Sequence, residues 1–594
     1  MIKERVDALR NLMKKNKIKA YLVPSTDPHQ SEYVPVMWER RKWLSGFTGS
    51  AGDLAITLQK AGLWTDSRYF LQAEQQLQGS GIDLFKMGLP AVPTMLQWLK
   101  SELKSGDKVG IDPRLFSYNE TRKMKSHLKE WGIKITPIET NLVDAIWPDQ
   151  PAFPGNPIKP HPKKYAGLSV EEKLEKLGQQ MKEEKVKAHI LTTLDAIAWL
   201  FNIRGSDVEF NPAVIAYAIV TPKKAMLFID PEKITRAVER HFGETVRIHP
   251  YDAFRKQLKK LVKNKAKVWL DPGSVSYWIV DILKKDCDLF FKESPVTRLK
   301  ALKNKTEITG AKAAHIRDGV AMVKFLQWLE KAVPQGGVTE ISAAEKLEEF
   351  RKALDLYQGP SFETISGYQE HGAIVHYAST PETNVELKSR GIFLIDSGGQ
   401  YLDGTTDITR TVALGQPSAE QKDRFTRILK GHILLALTRF PRGTAGNQLD
   451  TIARKPLWDI NQNYGHGTGH GIGAYLNVHE GPQAISYYRG LGVPLEPGMI
   501  ISNEPGFYKA GEYGMRVENL IVVVEDKSGK TEQEFYTFET ISFCPIDLKL
   551  INKSLLSSDE LNWLNSYHKA VRNHLSPYLN RTEKEWLTKA TQPI

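Results

Sequence analysis

Residues 394–414, LIDSGGQYLDGTTDITRTVAL, and residues 501–523, ISNEPGFYKAGEYGMRVENLIVV, carry the reading of this chain. Both follow one plan. An apolar strand ends in a carboxylate, Asp396 in the first stretch and Glu504 in the second. A glycine-containing turn with an aromatic comes next, and a second carboxylate, Asp407 or Glu518, then lies in a strand. The repeated plan predicts a duplicated α+β region over about residues 305–545, with its carboxylates brought together.

Asp396 and Asp407 are 407 − 396 = 11 residues apart, and in a hairpin both would point to one side of the sheet. Glu504 and Glu518 are 518 − 504 = 14 apart. Two carboxylates pushed together repel, so one takes up a proton unless a cation lies between them. Either aspartate alone reads equally well as a turn cap, and either glutamate as an exposed edge-strand residue. The ordered series is what points to a site.

Histidines complete it. The stretch 464–482, YGHGTGHGIGAYLNVHEGP, holds His466, His470 and His479. His466 and His470 have the spacing of a zinc-binding helix. Glycines at 465, 467, 469, 471 and 473 argue against a regular helix and for extended or looped backbone packed close to a site. Four carboxylates with imidazole and little sulfur suit manganese, cobalt, iron or zinc in a two-metal arrangement. Such a pair shares a bridging hydroxide whose formation near neutral pH it favours, which is hydrolase chemistry.

Working outward, a break falls at 294–308, SPVTRLKALKNKTEI. Asn304 and Glu307 have capping-box spacing, and Ile316, Val320, Val323, Leu326 and Leu329 recur as on one buried helix face. Another break is 146–162, IWPDQPAFPGNPIKPHP, whose six prolines read as an extended linker. The segments on either side of it share an order. One runs from AYLVPST through SGFTGSAG to WTDSRYF; the other runs from HILTTL through RGSDVEFNP to AVIAYAIV and AMLFID. Two copies of one α/β unit are expected. In the tail, Ser557 and Glu560 match a capping box, and Leu561, Leu564, His568, Val571 and Leu575 share a helix face. The expected domains are 1–150, 151–302, 303–545 and a helical extension over 546–594.

Composition fits a globular, multidomain protein. The 594 residues include 81 basic and 69 acidic side chains, a net charge of +12. The lysines alternate with acids along segments such as KLEKLGQQMKEEKVKA, which reads as solvated helix surface and not as a nucleic-acid footprint. Two cysteines, Cys287 and Cys544, lie far apart and outside any metal-binding spacing, so a reducing compartment is expected. The N-terminus reads as an amphipathic helix and a strand, without the pattern of a secretory signal. No apolar run is long enough to span a membrane.

Longer motifs sharpen this. SGFTGSAG, WTDSRYFLQA, LDAIAWLFNIRGSDVEFNP, GAIVHYASTPETN, IDSGGQYLDGTTDITRT, GHGTGHGIGAYLNVHEGP, NEPGFYKAGEYGMRVEN and the terminal EWLTKATQPI span nearly the whole chain. Together they resemble the pita-bread metallopeptidase family, which includes methionine aminopeptidase, prolidase and Xaa-Pro aminopeptidase. Within it, they are most similar to the three-domain cytosolic Xaa-Pro aminopeptidases. The resemblance implies two creatinase-like N-terminal α/β domains ahead of a pita-bread catalytic domain. It implies two divalent ions, with manganese expected, on Asp396, Asp407, His470, Glu504 and Glu518; Asp407 and Glu518 would bridge both ions. It implies a bridging hydroxide as nucleophile, with Glu504 shuttling its proton. His376 and His479 would hold the substrate carbonyls, His466 would wall the proline pocket, and Arg516 would support the metal carboxylates. It also implies a cytoplasmic homodimer acting on peptides with proline second, without a nucleic-acid or membrane partner. The rivals are a prolidase, which cleaves only dipeptides, and a non-enzymatic peptide- or histone-binding module. The two N-terminal copies and the tail disfavour the first, and the complete ligand series disfavours the second.

Overall fold

The structure is a computed structural model that describes residues 2–528 and 533–594. The chain divides into two compact units, Met1–His161 with Leu168–Thr297, and Pro162–Gly167 with Arg298–Ile594.

The first unit contains two six-stranded sheets of one design. The first sheet has strands Ala20–Val23, Asp53–Thr57, Ala61–Thr65, Asp83–Lys86, Lys108–Ile111 and Lys134–Pro137. The second has Ala188–Leu191, Tyr217–Val220, Ala225–Phe228, Val246–His249, Lys267–Leu270 and Asp288–Phe291. In both, the spatial order is fourth, third, second, first, fifth, sixth. The antiparallel pairings also match: first with second, and second with third. The remaining pairings are parallel in both copies. The expected duplication is therefore a duplication of topology.

A shared sequence also marks the fifth strand of each copy. Ile111-Asp112-Pro113 leads to Ser117-Tyr118, and Leu270-Asp271-Pro272 leads to Ser276-Tyr277. The copies join at these equivalent residues. Tyr118 N donates to Val275 O at 2.8 Å, and Tyr277 N donates to Phe116 O at 2.9 Å. Asn119 N donates to Pro272 O and Trp278 N to Pro113 O in the same reciprocal manner.

The helix Ile2–Lys15 buries Val6, Leu9 and Met13, as its amphipathic pattern requires; Met1 lies outside the described residues. The proline-rich stretch has no regular element from 148 to 158, but the expected linker is shorter than read. Lys159–Pro160 forms a two-residue strand on Ile203–Arg204. Such a short ladder has little need of a proline N–H. Of the twenty residues after Trp147, the last six, Pro162–Gly167, belong to the second unit.

In the second unit one arrangement occurs twice. Helices Lys305–Ala332 and Glu340–Lys352 precede the sheet formed by Ile365–Tyr368, Ile392–Ser397 and Ile408–Ala413. Helices Ala419–Ala436 and Gly446–Trp458 precede most of a second, six-stranded sheet that includes Gly469–Gly471, Glu480–Ile485, Ile500–Asn503 and Asn519–Glu525. The Asn304–Glu307 capping box is formed, and Val320, Val323, Leu326 and Leu329 are buried. The tail helix Ser558–Leu575 starts on the Ser557–Glu560 box and buries Leu564, Val571 and Leu575 against Val320, Phe425 and Leu429. None of the described helices is long and apolar enough to cross a membrane.

Candidate metal centre

Asp396 lies in the strand Ile392–Ser397, an apolar run buried along its whole length. The partner across the sheet is not Asp407 but Thr409. The intervening residues leave the sheet to form Gly399–Tyr401 and Gly404–Thr405 in a second, three-stranded sheet with Tyr357–Pro360. The expected simple hairpin is thus an excursion, and Asp407 sits just before the returning strand Ile408–Ala413. Gly398 makes the tight exit possible: a Cβ there would lie 2.0 Å from Thr406 O. Glu504 and Glu518 repeat this placement. Glu504 follows Ile500–Asn503, and Glu518 precedes Asn519–Glu525 instead of lying within it. Asn503 faces Asn519 across the ladder, which sets the two glutamates side by side.

His470 is held between two strands, Glu480–Ile485 and Ile500–Asn503. Its neighbours explain the glycine pattern. A Cβ on Gly469 would lie 1.9 Å from Ser502 O, and one on Gly471 would lie 2.1 Å from Glu480 O. Only glycine lets the strand carrying the imidazole approach both neighbours so closely. Asp407, His470 and Glu518 each offer a ligand atom, all within 4.8 Å of one another. His470 Nε2 is 3.5 Å from Asp407 Oδ2 and 3.4 Å from Glu504 Oε1. Asp396 is held from the other side by Arg516 Nη2 at 2.5 Å.

This crowding has an electrostatic signature. Burial pushes the Asp407 carboxyl well above its usual range, and Asp396 and Glu504 push it further. Burial, then Asp407, Asp396 and Glu504, do the same to Glu518. Glu504 is raised to about 7, by burial first and by Asp396 among its neighbours, although Arg516 opposes the shift. Burial works against the Arg516 charge, but Tyr508, Asp396, Glu504 and Glu518 hold its pKa well above the usual value. One guanidinium does not balance these four carboxylates, three of them buried.

The remaining histidines line up nearby. The rings of His479 and His470 are 4.4 Å apart and nearly perpendicular. His376 and His479 are parallel within 14°, with centroids 6.4 Å apart. His466 shares a 2.8 Å hydrogen bond with Tyr508 OH, to which Arg516 Nη1 donates at 2.5 Å. Every sequence-predicted site residue therefore lies in this one unit.

Sequence reasoning missed several supports. Thr409 Oγ1 donates to Glu518 Oε2 at 2.7 Å, and Ser502 Oγ to Glu504 Oε1 at 3.1 Å. Asp450 and Arg454, four residues apart on the helix Gly446–Trp458, form a buried pair at 2.6 Å. Asp450 accepts from Thr468 Oγ1, and Arg454 donates to His466 O, so this pair fixes the loop that carries His466. An Asp–Arg pair at i, i+4 was visible in the sequence, but that pattern is also common on exposed helices.

Comparison with known proteins agrees with this geometry. Residues 5–146 and 149–307 match creatinase/prolidase N-terminal domains. Residues 309–525 match metallopeptidase family M24, and 534–594 match the C-terminal region of peptidase M24. The chain is 41% identical to aminopeptidase P2 of Arabidopsis thaliana, over 100% of this chain and 89% of that one. It is 43% identical to the Xaa-Pro aminopeptidase ApepP of Drosophila melanogaster, over 97% and 96%. Among solved structures it is similar to the X-prolyl aminopeptidase of Caenorhabditis elegans, a cytosolic enzyme with a di-nuclear active site. That match has 38% identity and a TM-score of 0.97 over 100% of both chains. The Xaa-Pro dipeptidase of Bacillus anthracis shares the fold over 64% of this chain and 99% of its own, at 23% identity and a TM-score of 0.52. The chain belongs to metallopeptidase family M24, among the aminopeptidase P proteins.

Proposed function

We infer that this chain is a metal-dependent aminopeptidase that releases the first residue from peptides with proline in the second position. The observation that carries the reading is the cluster of Asp407, Glu518 and Glu504 around His470, with Asp396 beside it on Arg516, in a chain similar from end to end to Xaa-Pro aminopeptidases. A prolidase reading leaves about a third of the chain without a counterpart in the dipeptidase it resembles.

The residues fit a pair of divalent cations. Buried Asp396 Oδ1 has no hydrogen-bond partner among the described residues, and carboxyl groups forced towards protonation favour added positive charge. Asp407 and Glu518 would bridge the ions, with Asp396 on one and His470 and Glu504 on the other. The oxygen-rich donor set suits manganese. When bound, the ions polarise the scissile carbonyl and activate water.

The side chains do the rest. Glu504, oriented by Ser502, carries the proton towards the leaving amine. His376 and His479 donate to the substrate carbonyls, where negative charge develops. His466, fixed by Tyr508, walls the pyrrolidine pocket. A pocket shaped for the pyrrolidine ring would offer no partner for an additional amide N–H. An unpaired buried N–H costs about 1–3 kcal/mol, which alone gives roughly 5- to 150-fold preference for proline over alanine. We further assign domain limits of 1–150, 151–302, 303–545 and 546–594, a cytoplasmic setting and a homodimer, on the precedent of the family.

The test is hydrolysis of Arg-Pro-Pro, Arg-Ala-Pro and Gly-Pro by ion-free protein, with and without manganese. Arginine release from Arg-Pro-Pro, restored by manganese and much slower from Arg-Ala-Pro, is expected. Rapid cleavage of Gly-Pro with Arg-Pro-Pro untouched would make the protein a prolidase.

A further inference from the structure

Glu480 follows His479 directly and opens the strand Glu480–Ile485. Its side chain is fully buried between two lysines. Lys303 Nζ lies 2.5 Å from Oε1, and Lys300 Nζ lies 2.8 Å from Oε2. Lys303 is itself fully buried, and its ammonium also donates to Lys300 O at 2.9 Å. Burying two ammonium groups and a carboxylate incurs a desolvation cost that apolar side chains of similar size would avoid. Stability alone does not account for such a cluster.

Its placement does. The Glu480 backbone faces Gly471, one residue from His470, at the point where Gly471 has no room for a Cβ. The carboxylate is therefore attached to the strand end that supports both His470 and His479, whose rings are 4.4 Å apart. The lysines are equally well anchored. Lys303 N donates to Gly498 O at 3.1 Å, and the next residue, Asn304, caps the helix Lys305–Ala332. We propose that Glu480, clamped by Lys300 and Lys303, is a positioning residue that holds His479 at its working distance from His470. The proposal rests on the substrate-binding reading of His479 given above.

The experiment compares Glu480→Gln, the charge-compensated Glu480→Gln/Lys303→Met, and His479→Ala, each reconstituted with manganese. Turnover of Arg-Pro-Pro, KM, metal content and melting temperature are read for each. Glu480→Gln leaves two buried ammonium groups without their carboxylate, so it loses stability as well as activity. The double variant removes one of those charges and regains part of the melting temperature, the buried Lys300 still lacking its carboxylate. Its kcat nevertheless stays ~10–100-fold below wild type, part of the ~10²–10³-fold loss expected when an oxyanion donor such as His479 is removed outright, with little change in KM. Adding His479→Ala to the double variant then costs much less than it does in wild type, because Glu480 acts through His479. If kcat rises in step with the melting temperature from Glu480→Gln to the double variant, the clamp is only structural and the proposal falls. If the His479 effect is fully additive, it falls as well. If His479→Ala alone leaves turnover unchanged, the reading of His479 fails first and takes the proposal with it.

Discussion

Lys233 and Asp207 in the first unit, and the carboxylates around His470 in the second, place the same kinds of residue in opposite situations. Lys233 Nζ and Asp207 Oδ2 lie 2.6 Å apart with both side chains fully buried, and Ile215 N also donates to that oxygen. Charge meets charge one to one, although Asp207 Oδ1 takes no hydrogen bond among the described residues. At the other place four carboxylates share one guanidinium, Arg516, and an imidazole. Buried ions that balance one another belong to folding. Where the excess is negative, as around His470, a further cation is implied.

That contrast is open to direct attack. The largest effect is expected from Asp407→Ala. It should abolish hydrolysis and lower the bound metal, yet raise the melting temperature of the ion-free protein, because one of four repelling carboxylates is gone. Metal analysis and calorimetry after chelation read both outcomes. Full activity with intact metal content would end the assignment.

Lys233→Met should do the reverse. Leaving Asp207 buried alone costs about 3–5 kcal/mol of stability, while turnover per folded molecule stays near wild type. Thermal unfolding alongside kcat decides it. A variant as stable as wild type would place the pair with the exposed, weakly contributing ones.

The smallest effect sharpens the comparison with a buried group that carries no charge. His189 lies in the second sheet, between Trp269 O and Ser294 Oγ, and burial lowers its pKa from 6.5 to about 4. The folded state keeps this imidazole neutral, whereas the unfolded chain binds a proton below pH 6.5. Its contribution is therefore complete above pH 6.5 and is lost progressively as the pH falls to about 4. Within that window the slope is up to ~1.4 kcal/mol per pH unit. Stability measured against pH should be shallower for His189→Gln by about one proton's worth. An unchanged slope would mean that the imidazole is already charged in the fold.

The sequence made some of this architecture readable and hid the rest, for a common reason. Local signals were plain. The Asn304–Glu307 and Ser557–Glu560 boxes are contacts three residues long, and both formed. The glycines around His470 announced close backbone approach, although not which strands approach. The matching order of the two N-terminal segments was visible, while the shared Asp-Pro motifs that join them were overlooked. Contacts between distant residues left no such trace. Thr409 meets Glu518 across 109 residues, and Lys303 meets Glu480 across 177. A threonine or lysine has many uses, and only the folded chain selects one. The hairpin inferred from Asp396 and Asp407 failed for the same reason. Spacing alone does not reveal that the turn leaves to pair with Tyr357–Pro360.

The junction at Ser117 and Ser276 has the form of an interface between two identical subunits, although it lies within one chain. Each copy offers the other the same edge, so Val275 serves Tyr118 as Phe116 serves Tyr277. Separate molecules meeting in this way would have to repay the entropy of association. Here the two edges belong to one chain, so the meeting is intramolecular and a handful of backbone hydrogen bonds is enough to keep the seam closed.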